Sequence, residues 1–170
     1  MLSRFKHLFC TFLLGLALVF GFTAENFAQN EQVAFQDWTF FKTDRGDRIV
    51  CYIASTPIKK TGYSERRGEP YFLITDIVND ADEVTASSGF IYKSTSDVEV
   101  SFGAKKFYLF PYMAISWAND VNDDLDIIKE MQRSDEMTVT GITRDNKIVH
   151  DSYSLIGFSK AYFRLKDECK

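Results

Sequence analysis

Val98-Glu99-Val100-Ser101-Phe102-Gly103-Ala104-Lys105-Lys106-Phe107-Tyr108-Leu109-Phe110 is the stretch that decides the fold class. Val98–Phe102 and Phe107–Phe110 are short runs rich in β-branched and aromatic residues, and Gly103-Ala104 between them reads as a tight hairpin turn. A second pair repeats the pattern downstream, where Arg144-Asp145-Asn146 joins Met137–Ile142 to the run Lys147–Tyr153. Upstream, Arg48–Ala54 alternates, with Ile49, Cys51 and Ile53 on one face and Val50 and Tyr52 on the other. Tyr71–Thr75 and Met113–Trp117 complete a set of short strands with turn residues roughly every ten positions. Such spacing favours a mainly β domain, an antiparallel sandwich or barrel, over alternating βαβ units.

Two short helices interrupt the strands. Asn122 is a good N-cap, Asp123 and Asp124 sit in the first turn where the helix dipole favours anions, and Leu125, Ile128 and Met131 form one apolar face. The second helix runs from about Phe158 to Lys166, with Phe158, Ala161, Tyr162 and Leu165 at i, i+3, i+4 and i+7. The segment Pro57 to Glu69, with Lys59, Lys60, Gly62, Arg66, Arg67 and Gly68, reads as a flexible loop.

The N-terminus has the three parts of a secretory signal. Arg4, Lys6 and His7 make a basic start, Leu8 to Phe22 follows without a charge, and Ala24 or Ala28 ends a plausible cleavage site. The apolar run is shorter than the roughly 18–20 residues that span a bilayer comfortably. An uncleaved N-terminal anchor is the alternative. Residues 1–28 are thus expected to be a signal peptide and residues 29–170 one domain, periplasmic, outer-membrane-associated or secreted, and not membrane-spanning.

The 170-residue chain has a net charge of −4; Arg4 and Lys6 against Glu25 leave +1 in the first 28 residues and −5 in the remainder. A mildly acidic domain without a basic stripe does not suit nucleic acid. The remainder keeps two cysteines, Cys51 and Cys169, an even number that suits an oxidising compartment and a structural bridge. Two unpaired thiols or a redox centre are the alternatives, although no C-x-x-C spacing is present.

Trp38 ahead of a strand, Cys51-Tyr52-Ile53-Ala54-Ser55-Thr56-Pro57, Arg67-Gly68-Glu69-Pro70-Tyr71, and Asp151-Ser152-Tyr153-Ser154-Leu155-Ile156-Gly157-Phe158 ahead of the last helix and Cys169 form a distinctive set. Together they resemble the invasion-associated locus B family of exported bacterial envelope proteins. The resemblance covers the mature chain in order. It implies an exported protein, linked in some pathogens to host-cell invasion, with no established catalytic activity or cofactor.

The residues themselves offer little chemistry. His150-Asp151-Ser152 contains the residue types of a triad, but on a strand Asp151 points away from the face that His150 and Ser152 share. Asp120-Val121-Asn122-Asp123-Asp124-Leu125-Asp126 has oxygens at alternate positions like a calcium loop. Leu125 stands where that loop needs glycine and Met131 where it needs a bidentate glutamate, so an acidic helix start explains the same residues. Trp38 and Trp117 read as core or sheet-edge aromatics. Arg66, Arg67 and Glu69 are the candidate partner-binding residues: an arginine there would grip a carboxylate or phosphate, or would pair with a neighbouring charge. The expectation is a non-enzymatic domain that recognises a protein or envelope partner, or else a chaperone-like factor for other exported chains.

Overall fold

In the computed structural model, described for residues 30–44, 46, 48–62, 67–77 and 82–169, the alternation expected around Cys51 becomes a strand with Cys51, Ile53 and Ser55 buried and the residues between them half-buried. The expected signal peptide and Arg66 lie outside the described residues. Among the described residues eleven strands form one antiparallel sheet: β1 (Glu31–Phe35), β2 (Trp38–Asp44), β3 (Ile49–Ser55), β4 (Lys59–Thr61), β5 (Tyr71–Asp76), β6 (Glu83–Ser87), β7 (Val98–Phe102), β8 (Lys105–Tyr112), β9 (Ile115–Trp117), β10 (Glu136–Ile142) and β11 (Ile148–Ser154). Two helices join them, α1 (Val121–Met131) and α2 (Phe158–Glu168).

The spatial order is β1-β2-β3-β5-β6-β9-β8-β7-β10-β11-β4, so β1 and β4 are free edges and the sheet is not closed. It doubles back into a sandwich-like fold. β8 is the strand that turns the corner: residues 105–109 pair with β7, and Phe110, Pro111 and Tyr112 pair with β9. Pro111, which has no N–H to give, lies past the last β7 pair, where a break in the ladder costs least. The chain crosses between the two halves directly after β3, and β4 docks on the far edge against β11.

One apolar core fills the interior. Trp38 on β2 meets Phe158 on α2 edge-on at 4.9 Å and Phe72 on β5 at 6.5 Å, while Phe72 meets Tyr153 on β11 at 6.0 Å. The Trp38 indole N–H donates to the Ser154 carbonyl at 3.0 Å, so the ring has its polar edge satisfied while fully buried. Gly157 begins α2 with φ 93°, and a Cβ there would meet the Phe35 carbonyl oxygen. Only glycine allows that close passage of the β1–β2 turn.

The C-terminal helix is fastened at both ends. Phe158, Ala161 and Leu165 enter the core, and Cys169 is bonded to Cys51 across a sequence separation of 118. Beside the bridge, Lys166 Nζ donates to Asp82 at 2.8 Å and to Asp76 at 3.2 Å, and the Tyr162 hydroxyl donates to Asp82 at 2.6 Å.

Four details differ from the sequence reading. The N-cap of α1 is Asp120, not Asn122, because the Asp120 carboxylate accepts the N–H groups of Asn122 and Asp123. The buried face of α1 is Asp124, Ile127, Ile128 and Met131, with Leu125 turned outward. Residues 57–69 are not simply a loop, since β4 lies within them. Strands β1, β2 and β6 extend the sheet beyond the runs read as strands, and the run Met113–Trp117 contains β9.

Loss of the Cys51–Cys169 cross-link frees a long loop in the unfolded chain. Cys169→Ser is expected to lower the free energy of unfolding by about 2–5 kcal/mol, read as a lower urea midpoint. An unchanged midpoint would mean that α2 docking alone holds the terminus.

Candidate functional site

Arg67 and Asp151, 84 positions apart, meet inside the sandwich. Asp151 points inward from β11 in the alternation Val149, Asp151, Tyr153, and its side chain has 0% exposure. The segment leading into β5 carries Arg67 to it. The guanidinium donates from Nη1 to Asp151 Oδ2 at 2.9 Å and from Nη2 to Oδ1 at 2.5 Å, and Nη1 also donates to the Ser88 carbonyl at 3.0 Å. Such a two-pronged pair satisfies planar donors and both acceptor oxygens at once. The Tyr92 hydroxyl continues the polar cluster, accepting from Ser88 N–H at 2.7 Å and donating to Ser88 Oγ at 3.1 Å. Gly68 and Gly89 pass backbone to backbone beside it, with Gly68 N–H donating to the Gly89 carbonyl at 2.8 Å. Side chains at Gly89 would strike the Gly68 backbone.

Arg67 is thus spent internally, with 8% of its side chain exposed. Of the three residues expected to face a partner, it takes the structural alternative. Arg66 lies outside the described residues. Glu69 is the one that faces solvent, its side chain 87% exposed and 3.3 Å from Lys60 Nζ on β4. Pairs of that kind contribute little.

The triad residues do not converge. His150 is exposed on β11 with Nδ1 2.9 Å from Thr140 Oγ1, whereas Asp151 on the opposite face is engaged by Arg67. At the start of α1 the carboxylate of Asp120 is used as a cap. No group of three or more potential metal-ligating side chains lies together among the described residues.

A different surface carries the most unusual chemistry. Tyr108, Phe110 and Tyr112 alternate along β8 and all face outward, with Tyr112 71% exposed and Met113 beside it 54% exposed. Trp117 on β9 stacks on Phe110 at 5.7 Å and 25°. Next to these rings an open cavity of about 370 Å³ is lined by Glu83, Phe110, Tyr112, Trp117, Ala118 and Asp124. Asp124 occupies the helix position that faces β6 just beyond the end of β9, and its Oδ1 accepts the Val84 N–H at 2.8 Å. It replaces the backbone acceptor that a longer β9 would have supplied. Burial pushes its carboxyl up to about 6, the Val84 N–H works against that rise, and the charges of Glu83, Asp123 and Asp120 add to it. The β8 row was visible in the sequence as alternating Tyr108, Phe110 and Tyr112. Asp124 was not, because a carboxylate at a core position of an amphipathic helix reads as part of the solvated side.

Removing one partner of the internal pair leaves a buried charge without compensation. Arg67→Ala or Asp151→Ala is expected to destabilise the fold by about 3–5 kcal/mol, measured by urea denaturation, with Arg67→Met/Asp151→Leu recovering most of the loss. Additive losses in the double variant would contradict the pairing.

Asp124 has a separate pH signature. Its folded-state carboxyl holds a proton more tightly than the unfolded one. Its contribution therefore disfavours folding increasingly as pH rises from about 4 to about 6, by on the order of 2 kcal/mol. Asp124→Asn keeps an acceptor for Val84 N–H and removes that slope, so its stability gain over the parent should grow across this interval in urea titrations. A constant difference would mean that Asp124 titrates normally.

No family model matches the sequence, and no curated protein matches it. Solved structures do match. The crystal structure of invasion associated protein b from Bartonella henselae superposes with a TM-score of 0.59, at 13% sequence identity, over 81% of this chain and 96% of that one. At that identity the likeness is one of fold: this chain shares its architecture with an invasion-associated protein.

Proposed function

We propose that this chain is an exported, non-enzymatic interaction protein of the bacterial cell envelope, periplasmic or outer-membrane-associated or secreted, with residues 1–28 as its signal peptide. The row Tyr108, Phe110 and Tyr112 is the observation that carries the interaction role, because the outward side of a strand facing only water would be polar. The Cys51–Cys169 bond supports export, since reducing compartments keep such thiols free. The fold likeness to an invasion-associated protein supports a role for this chain in association with a host cell or an envelope component. Glu69 and the exposed edge of β4 form a second contact surface, and Arg67 acts there as the brace that holds the segment in position.

The exposed rings equally favour an envelope chaperone that binds unfolded exported chains. The two roles separate by selectivity. A photo-reactive phenylalanine analogue at position 112, with another at position 61 on β4, is expected to cross-link a small discrete set of envelope proteins in cells. A broad smear of clients, together with suppressed aggregation of unrelated proteins by the purified chain, would favour the chaperone. Turnover of any substrate that His150→Ala abolishes would defeat both.

A further inference from the structure

Asp124 is a carboxylate with 8% residue exposure at the wall of an open cavity. The charged groups acting on it are all acidic: Glu83 on β6, Asp123 on α1 and the cap residue Asp120. Among the described residues no lysine or arginine forms an ion pair with Asp124 or Glu83. The other mostly buried carboxylates of the fold contrast with this, since Asp151 has Arg67, and Asp76 and Asp82 share Lys166. The same cavity is lined by Phe110 and Trp117, stacked on each other, and by the exposed Tyr112.

We propose that this cavity binds a lysine or arginine side chain presented by a basic segment of a partner protein. The proposal rests on the reading of the chain as an interaction protein and names the chemistry of what it recognises. Three features of the site converge on a cation. An aromatic face attracts a cation through its quadrupole, and it also packs against the methylene stem that carries the charge. A cation seated between the rings and the carboxylates relieves the mutual repulsion of Glu83 and Asp124, and does so in partly desolvated surroundings where charge pairing is stronger than in open water. The Val84 N–H holds the Asp124 carboxylate in place before any ligand arrives, so little ordering is left for binding to bring about. A neutral sugar would stack on the same rings but leave both carboxylates without a countercharge. An alkyl chain would desolvate them further. The open mouth of the cavity admits a side chain from an extended segment lying across β8.

The probe is a fluorescein-labelled peptide of alternating serine and lysine, titrated against the purified exported protein by anisotropy, with its acetyl-lysine counterpart as the uncharged control. The lysine peptide is expected to bind at pH 7.5 and the acetylated one at least about tenfold more weakly. Asp124→Asn, and separately the exposed pair Phe110→Ala/Tyr112→Ala, are each expected to weaken the lysine peptide by about tenfold or more. Asp126→Asn removes the same formal charge from the solvent side of α1, where Asp126 is paired with Lys129, and should leave binding unchanged. At pH 5 the parent should bind more weakly than at pH 7.5 because Asp124 is then largely protonated. Asp124→Asn should lose most of that dependence. Melting curves establish that each variant is folded.

Equal binding of the acetylated peptide, equal loss in Asp126→Asn, or displacement by maltotriose would overturn the proposal. Partners cross-linked from position 61 with no lysine-peptide binding would overturn the cavity and leave the interaction role intact. Specific peptide binding with no partner cross-linked from either position would leave the cavity standing and remove the interaction role.

Discussion

The bidentate pair between Arg67 and Asp151 is the constraint around which the rest of the molecule is arranged. Burying two opposite charges is costly, and their attraction offsets the desolvation only where the geometry is close to ideal and the leftover donors are used. The geometry is bidentate, each carboxylate oxygen taking one nitrogen, and the Ser88 carbonyl takes one of the remaining donors, a further bond from Nη1. The pair therefore fixes three segments at once: the approach to β5, the chain just after β6, and the middle of β11. Those segments come from opposite halves of the sandwich. Beside the pair, Gly68 and Gly89 pass backbone to backbone, too close to admit a side chain at Gly89.

Seen from that pair, the segments that resemble the invasion-associated locus B family are the ones that interlock. Trp38 donates to the Ser154 carbonyl and packs on Phe158. Arg67 holds Asp151, Cys51 holds Cys169, and Gly157 clears the Phe35 carbonyl. All of these interactions serve to keep the two halves of the folded sheet and a terminal helix in register. A resemblance carried by such residues is informative about fold and silent about partners, because function lives in surface groups that these residues do not include.

The legibility of the elements follows from where their stabilisation comes from. Val98–Phe102 was readable to the residue because its alternation and its turn are both local. β6 is buried from Val84 to Ser87, so alternation, the usual signature of a strand, is missing. β4 is three polar residues that form a strand only because β11 is there to pair with. Asp120 and Asn122 are both competent caps, and the choice between them is made by which one the preceding chain leaves extended. At the candidate site the same rule holds. The cysteines could be paired by counting, whereas Arg67 looked like a surface group because nothing near it in sequence reveals a carboxylate 84 positions away.

Asp124 shows the reverse error. The helical period places it with Ile127, Ile128 and Met131, and a leucine there would pack against β6 without electrostatic penalty. A leucine would also leave the Val84 N–H without an acceptor at the point where β9 stops short, so a polar side chain at this position has a structural reason. That reason asks only for an oxygen, and asparagine would supply it without a charge. The negative charge and the acidic neighbours go beyond what the ladder needs. They stand beside the outward aromatic row of Tyr108, Phe110 and Tyr112. Local consistency is relaxed in natural folds chiefly where binding requires it. A charge that the fold does not need, set against rings that the fold leaves uncovered, is most simply accounted for by something that arrives from outside.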